Sequence, residues 1–139
     1  MSYAMTAQEM EYAEAALLSL PQVEIPTHTY ILNGLLIREG IVPAGVFAMG
    51  HRHKYRHLNL LLKGAIALRM DDGIRIVRAP EIWVAEPGRK AAFFLEETVW
   101  LNVLHTDEED VGIAQEIVVE KTDTWKKIAA LAQEHRICG

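Results

Sequence analysis

Apolar positions at helical spacing mark both ends of the chain. The first segment opens with a capping box, in which Thr6 and Glu9 can each accept a hydrogen bond from the other's backbone, and Pro21 ends it. A second segment begins near Thr122. We therefore predict an N-terminal helix over about 6–19 and a C-terminal helix over about 123–136. Their apolar faces carry Met10, Ala13, Leu17 and Leu20 in the first helix and Trp125, Ile128, Ala129 and Ala132 in the second.

Between these helices the apolar residues form short runs, several of which alternate with polar residues as in half-buried strands. Turn residues separate the runs, and Asp72-Gly73 between two alternating runs is a strong hairpin signal. Many short strands at spacings of about 8–12 residues are typical of a sandwich or barrel. We predict one mainly β domain over residues 1–139, with a barrel over about 23–119. The candidate strands are 23–25, 28–32, 34–41, 45–49, 57–62, 64–70, 73–78, 81–85, 91–95, 98–105 and 112–119.

Composition narrows the functional classes. The net charge is −5 over 139 residues, and no basic run is present that could neutralise nucleic-acid phosphates. No apolar stretch approaches the roughly 20 residues that cross a bilayer, and the N-terminus lacks the pattern of a signal peptide. The only cysteine is Cys138, so the chain cannot form an internal disulfide framework. We expect a cytoplasmic protein that binds neither nucleic acid nor membranes.

Three of the six histidines lie within seven residues, in the segment GVFAMGHRHKYRHLNLLLKG from Gly45 to Gly64. On a strand, His51 and His53 point to the same face, and a short turn can bring His57 back towards them. Imidazole nitrogens suit a divalent transition metal such as iron, zinc, nickel, manganese or copper. The spacing therefore predicts a metal site, against the alternative that these are ordinary hydrogen-bonded histidines.

This segment resembles the first sequence motif of the cupin superfamily, G-x5-H-x-H-x3,4-E-x6-G, with His57 in the place of the usual glutamate. The second cupin motif is only partly present: AEPGRKAAFFLEE keeps the Pro-Gly turn but has Ala91 and Leu95 where the motif has histidine and asparagine. The resemblance implies a jelly-roll barrel of the cupin type. Segments such as HKYRHLN and EPGRKAAFFLEETVWLNVLHT also resemble small cupin proteins of tailed bacteriophages and prophages, although Arg56 stands where that pattern favours an acid.

The incomplete second motif leaves a fourth metal ligand to be found. His105 ends an apolar strand and would point into the barrel if Val99, Leu101 and Val103, which share its alternation, form the core. Alternatively, His105 is a half-exposed residue at the strand end. His28 in an early strand has the same two interpretations.

Polar residues near the histidines could bind a small molecule. Tyr55 and Arg56 lie in the loop between the histidines, and Asn59 follows His57 at strand periodicity, so it would point to the same interior. Arg89 follows the Pro-Gly turn at the expected mouth of the barrel and could recognise an anion. The alternatives are surface ion pairs for the arginines and hydrogen bonding to buried backbone for Asn59.

Three functions agree with these features. The first is a small metalloenzyme, for which the cupin resemblance implies chemistry like that of dioxygenases or isomerases; Glu86 is the nearest candidate for a general base. The second is a non-catalytic protein that binds or sequesters a small molecule. The third is a structural or assembly protein of a phage, which would act in the host cytoplasm. Cupins commonly pair, so the resemblance also implies a homodimer, for which the N-terminal helix is one candidate contact.

Overall fold

The computed structural model of the chain describes residues 6–70 and 73–138, with side chains as far as Leu131 except those of Ala7 and Met70. Asp71 and Asp72 of the predicted hairpin turn lie outside the described residues. The helices are α1 (Ala7–Leu18), α2 (Val111–Val118) and α3 (Asp123–Cys138). The strands are β1 (Thr27–Leu32), β2 (Leu35–Val42), β3 (Phe47–Met49), β4 (Arg52–His53), β5 (His57–Lys63), β6 (Ala65–Met70), β7 (Gly73–Arg78), β8 (Glu81–Ala85), β9 (Ala91–Phe94), β10 (Thr98–His105) and β11 (Val119–Glu120).

Most of the strands belong to two antiparallel sheets that pack against each other. One sheet has the order β1-β2-β10-β5-β8, and the other has the order β3-β9-β6-β7. The short strands β4 and β11 pair separately. The mainly β class is confirmed. Because the hydrogen bonds of the described residues form open sheets, the closed barrel predicted from the sequence is not confirmed.

The main core lies between the two sheets and follows the alternation of their strands. In the four-stranded sheet, Ile66 and Leu68 of β6 and Phe94 of β9 are fully or almost fully buried. Val42 of β2 and Leu61 of β5 meet them from the five-stranded sheet. Each such side chain contributes about 1.5–3 kcal/mol through its removal from water. The facing surfaces are therefore apolar, and polar groups between the sheets need an explanation.

The second core contains α2, which corrects one prediction. Ala114 and Val118, four residues apart, pack against Leu36 of β2 and Leu104 of β10. The strand predicted over 112–119 is therefore wrong. The β-branched residues of this segment favour a strand, but the carboxylate of Asp110 caps a helix by accepting a hydrogen bond from the backbone N–H of Ile113 at 2.9 Å.

The N-terminal helix begins with both hydrogen bonds of the capping box. The Thr6 hydroxyl accepts from the Glu9 backbone at 3.1 Å, and the Glu9 carboxylate accepts from the Thr6 backbone at 2.9 Å. This helix, α1, packs against α3, so the first and last helices lie side by side. No helix within the described ranges combines the length and apolarity needed to cross a bilayer.

The two glycines that frame the histidine motif serve backbone turns. Gly45 and Gly64 have φ values of +82° and +94°, a region that disfavours residues with a side chain. At Gly64 an added Cβ would also overlap the carbonyl oxygen of Glu97 and the backbone of Thr98. The two glycines of the frame thus allow backbone turns next to strands.

Candidate functional site

A pocket of about 200 Å³ lies between the two sheets beside the histidine motif. Its walls combine a mainly apolar surface with a small group of polar side chains. The apolar surface includes Ala48, Leu68, Ala91, Ala92, Phe94 and Trp100. The polar side chains are His51, His53, His57, Asn59, Lys90 and Asn102. A pocket with apolar walls and a few converging polar groups is the usual form of a small-molecule site.

The three motif histidines all line this pocket, although they belong to different parts of the backbone. His51 lies between β3 and β4, His53 ends β4, and His57 begins β5. The rings of His53 and His57 stack with their centroids 4.4 Å apart. The His51 ring meets the ring of Trp125 in α3 edge-on at 5.0 Å. The turn between β4 and β5 thus brings His57 back to the first two histidines.

Burial favours the neutral form of these three imidazoles. Loss of solvation, reinforced by the neighbouring His57, lowers the pKa of His53 to about 4. Burial also lowers the pKa of His51, with Lys121 and Arg89 adding to the effect. Burial lowers the pKa of His57 as well, against the opposing effect of a hydrogen bond to the Tyr55 backbone. A neutral imidazole retains one nitrogen lone pair, which is the form that binds metals.

The hydrogen bonding of the rings bears on their capacity to hold a metal ion. The Nδ1 atoms of His51 and His53 are buried without a hydrogen-bond partner, whereas Nδ1 of His57 lies 3.1 Å from the carbonyl oxygen of Tyr55. The donor chemistry therefore fits a transition metal. Within the described residues, however, no three histidine, cysteine, aspartate or glutamate side chains are arranged as a metal-binding group.

Two asparagines are among the polar residues that line the pocket. Asn59 of β5 is buried and accepts a hydrogen bond from the side chain of Asn102 in β10. Asn59 was predicted to face the interior, and it lies there. Asn102 was missed, although it alternates with Trp100 and Leu104 along its strand. These alternate residues of β10 face the space between the sheets.

His105 lies on the opposite alternation of β10 and does not line the pocket. Its side chain is 73% exposed, and its Nε2 lies 3.1 Å from the carboxylate of Asp107. Of the two alternatives for His105, the structure has the exposed residue at the strand end, because Val99, Leu101 and Val103 are not the residues of β10 that face the other sheet. His105 as a fourth metal ligand is therefore not supported. His28 is also largely exposed and lies 3.5 Å from the carboxylate of Glu39.

The predicted ligand-binding residues of the histidine loop lie at the surface. Tyr55 is 54% exposed, and its backbone carbonyl, not its ring, reaches His57. Arg56 donates a hydrogen bond to the carboxylate of Glu86 at 3.0 Å, and both side chains are exposed. None of Tyr55, Arg56 and Glu86 lines the pocket.

Arg89 takes part in a buried ion pair away from the pocket surface. Its guanidinium pairs with Glu14 of α1, and the two side chains are only 10% and 5% exposed. Burial opposes ionisation of Glu14, but hydrogen bonds from Arg89 and Thr122 outweigh it and lower the pKa of this carboxyl. Arg89 also donates to the carbonyl oxygen of Gly50 at 2.7 Å. Arg89 thus connects α1 to the backbone that precedes His51.

Comparison with known proteins shows a fold and no sequence family. No protein-family model matches the chain, and no curated protein matches it. Among solved structures, KdgF from Halomonas sp. is similar with a TM-score of 0.53 and 14% identity, over 65% of this chain and 87% of that one. An RmlC-like cupin from Shewanella frigidimarina has a TM-score of 0.51 and 16% identity, over 64% and 88% of the two chains.

A cupin superfamily protein from Desulfitobacterium hafniense is similar with a TM-score of 0.50 and 14% identity, over 67% of this chain and 87% of that one. The comparisons give no support to the narrower likeness to phage proteins. At these identities the likeness concerns the fold alone. The chain has a fold like that of cupin proteins, with the motif histidines facing its inter-sheet pocket.

Proposed function

We propose that this protein binds a small molecule in the pocket between its sheets, beside a divalent transition metal held by His51, His53 and His57. The main support is the presence of three neutral imidazoles in one pocket, two of which have a buried nitrogen without a partner. Buried polar atoms normally have a partner. The proposal includes the cupin-type barrel, with the two sheets as its walls.

The donor set favours particular metals. Three neutral imidazoles carry no negative charge, and no carboxylate is among the described residues that line the pocket. Hard ions such as magnesium and calcium prefer oxygen ligands, so iron, zinc, nickel, manganese and copper are the candidates. When bound, such an ion would act as a Lewis acid towards an oxygen of the ligand.

The chain's own residues would bind and orient the small molecule. Leu68, Phe94 and Trp100 provide an apolar surface that excludes water from one side of the pocket. The hydrogen-bonded pair Asn59 and Asn102 presents amide groups on another side. Amides of this kind fix the orientation of a ligand, while the apolar walls contribute affinity.

A specific observation favours binding without catalysis over an enzyme reaction in this pocket. Glu86, the nearest acid by sequence that could serve as a general base, is exposed and paired with Arg56. General-base catalysis requires a group within hydrogen-bond reach of the reacting proton. An enzyme reaction like that of a dioxygenase or isomerase would therefore have to use the pocket histidines themselves or a base outside the lining residues.

Metal analysis of the purified full chain tests the proposal. Protein prepared without added metal, and then exposed to each candidate ion and dialysed, is expected to retain about one equivalent. His53→Ala and His57→Ala should reduce retention at least tenfold, by analogy with the loss of other metal-site residues. The exposed histidine variants His28→Ala and His105→Ala are matched controls and should retain the ion.

Uptake of less than about a tenth of an equivalent by folded wild-type protein would overturn the metal site. Equal losses in the pocket variants and in the exposed variants would do the same. If metal binds, oxygen consumption with a panel of small molecules separates an oxygenase from a binding protein.

A homodimer and a cytoplasmic location complete the proposal. Both come from the sequence and from its resemblance to cupins. Light scattering on the purified chain should give twice the monomer mass if the dimer exists.

A further inference from the structure

Arg38 places a guanidinium group on the inner face of the five-stranded sheet. It pairs in register with Asn102, which pairs in turn with Asn59, so the three residues form one row across β2, β10 and β5. Residues directly opposite one another in such a ladder project to the same face. Leu36 and Val42, on the same alternation of β2 as Arg38, are buried in the two cores. Arg38 therefore faces the pocket side of the sheet. It is not among the residues that line the pocket, but its neighbour Asn102 is, and its charge contributes to the lowered pKa of His51 and His53.

This arginine has no counter-ion within the part of the chain that the structure describes. Its Nε atom is buried without a hydrogen-bond partner, and no ion pair to Arg38 occurs among the described residues. Burial lowers the pKa of Arg38, yet a guanidinium remains charged in proteins. The side chain is half-buried, and a charge that is partly shielded from water is costly unless it is paired. The unpaired cation is therefore a feature that the fold alone does not explain.

Other donors around the same space also lack acceptors. The indole Nε1 atoms of Trp83 and Trp100 are buried without partners. Trp83 extends the Arg38 row through its register with Asn59, and Trp100 lines the pocket. The Lys90 ammonium also lies in the lining, but it already donates to the carbonyl oxygen of Glu86 at 3.0 Å. Apart from the histidine nitrogens, the unpartnered buried atoms around the pocket are therefore donors.

We infer that the pocket accepts a small carboxylate-bearing molecule, whose carboxylate receives hydrogen bonds from the asparagine row and extends to Arg38 at the end of that row. A carboxylate is acceptor-only and matches the fork of a guanidinium. The apolar part of the molecule would lie against Leu68, Phe94 and Trp100. A volume of about 200 Å³ is below the range of roughly 300–1,000 Å³ typical of drug-sized ligands, so the molecule is small. This inference rests on the proposed small-molecule function and adds the charge of the ligand.

Pairs of probes that differ only in charge test the inference. Acetate and acetamide, propionate and propionamide, and benzoate and benzamide are titrated into the full chain, as purified and after chelation, with calorimetry and tryptophan fluorescence as readouts. For at least one pair the carboxylate should bind about tenfold or more tightly than the amide, as expected for a hydrogen-bonded charge pair. The preference should persist after chelation, which separates it from any interaction with a metal.

Variants assign the preference to a residue. Arg38→Gln should remove the preference for the carboxylate and leave amide binding unchanged, whereas Arg38→Lys should keep part of it. Arg56→Gln, at an exposed arginine that is already paired with Glu86, is the control and should bind both probes as the wild type does. If Arg38→Gln does not fold, as judged by circular dichroism, the Arg38→Lys variant and the wild-type probe pairs decide the matter.

Three results would overturn the inference. Equal affinity for both members of every pair would show that the pocket binds small molecules without selecting anions. The proposed function would then remain, and the inference about the charge of the ligand would be wrong. A preference that survives Arg38→Gln but disappears in Lys90→Gln would show that the carboxylate binds Lys90 and not Arg38. Binding of neither member of any pair up to about 10 mM, well above the weak-binding range, would overturn the small-molecule function as well.

Discussion

Two arginines that are at least partly shielded from water, Arg89 and Arg38, differ in whether a carboxylate of the chain pairs with them. Arg89 belongs to a helix junction formed by Glu14, Arg89 and Thr122, in which one carboxylate accepts hydrogen bonds from both partners. Arg38 belongs to the pocket row, which also contains Asn102 and Asn59, and it has no carboxylate partner among the described residues. The first charge is satisfied inside the fold, and the second is left for a ligand.

The presence or absence of a carboxylate partner distinguishes the structural role of Arg89 from the ligand-binding role proposed for Arg38. Both arginines lie beside elements that shape the pocket, since Arg89 donates to Gly50 and Arg38 shares a row with Asn102. From the sequence Arg89 was the candidate for anion recognition, because it follows a Pro-Gly turn. Its buried partner on α1 assigns it to the connection between helix and sheet.

Loss of the carboxylate in the helix junction should have the largest effect on stability. Glu14→Ala would leave Arg89 buried without its partner, so we expect the free energy of unfolding in urea to fall by about 3–5 kcal/mol. Glu86→Ala, which removes the partner of the exposed Arg56, is the control and should change it by about 1 kcal/mol or less. Equal effects of the two substitutions would contradict the structural role of the helix junction.

Acid should destabilise the protein through the pocket histidines. The pKa of His53 is about 4 in the folded protein against 6.5 in the unfolded chain, so between these values the unfolded chain binds more protons. The stability is therefore complete above pH 6.5 and decreases as the pH falls towards 4. Since the ring is only partly shielded from solvent, we expect a loss of about 1–2 kcal/mol from this group.

The His53→Gln variant checks this assignment. Chemical denaturation at pH 7 and pH 4.5 should show a smaller loss for the variant than for the wild type, because the variant cannot take up the proton at this position. An unchanged loss would assign the acid sensitivity to other groups.

Removal of the unpaired arginine should have the smallest effect on stability. Arg38→Met replaces a half-buried unpaired charge with an apolar side chain of similar length, so we expect the unfolding free energy to stay within about 1 kcal/mol of the wild type or to rise. Arg89→Met should instead leave Glu14 unpaired and lower it by about 3 kcal/mol. Comparable losses in both variants would mean that Arg38 stabilises the fold and would remove the contrast between the two regions.

The sequence predicts the β class and the histidine cluster because both depend on local patterns. Alternation identifies most strands, and the spacing of His51, His53 and His57 is sufficient to bring them to one pocket. The helix α2 was missed because its β-branched residues favour a strand, while its cap at Asp110 is a single side chain. Local propensity is weak evidence where capping and tertiary packing oppose it.

Non-local pairing explains the remaining errors at the site. The register of β10 with β2 and β5 determines which alternate residues of β10 face inwards. The sequence alone left the orientation of His105 open and did not point to Asn102. The partner of Arg89 lies 75 residues away in α1, so no local pattern could reveal it. The unpaired state of Arg38 is likewise a property of the assembled sheets.

The most direct test of the account is whether the three pocket histidines act as one metal site. Imidazole nitrogen NMR of histidine-labelled full chain, titrated with zinc, reports on each ring separately. We predict that the resonances of His51, His53 and His57 change together and reach completion at about one equivalent of metal, while those of the exposed His28 and His105 stay unchanged. Changes confined to His28 and His105, or no change in the pocket rings at several equivalents, would contradict the account.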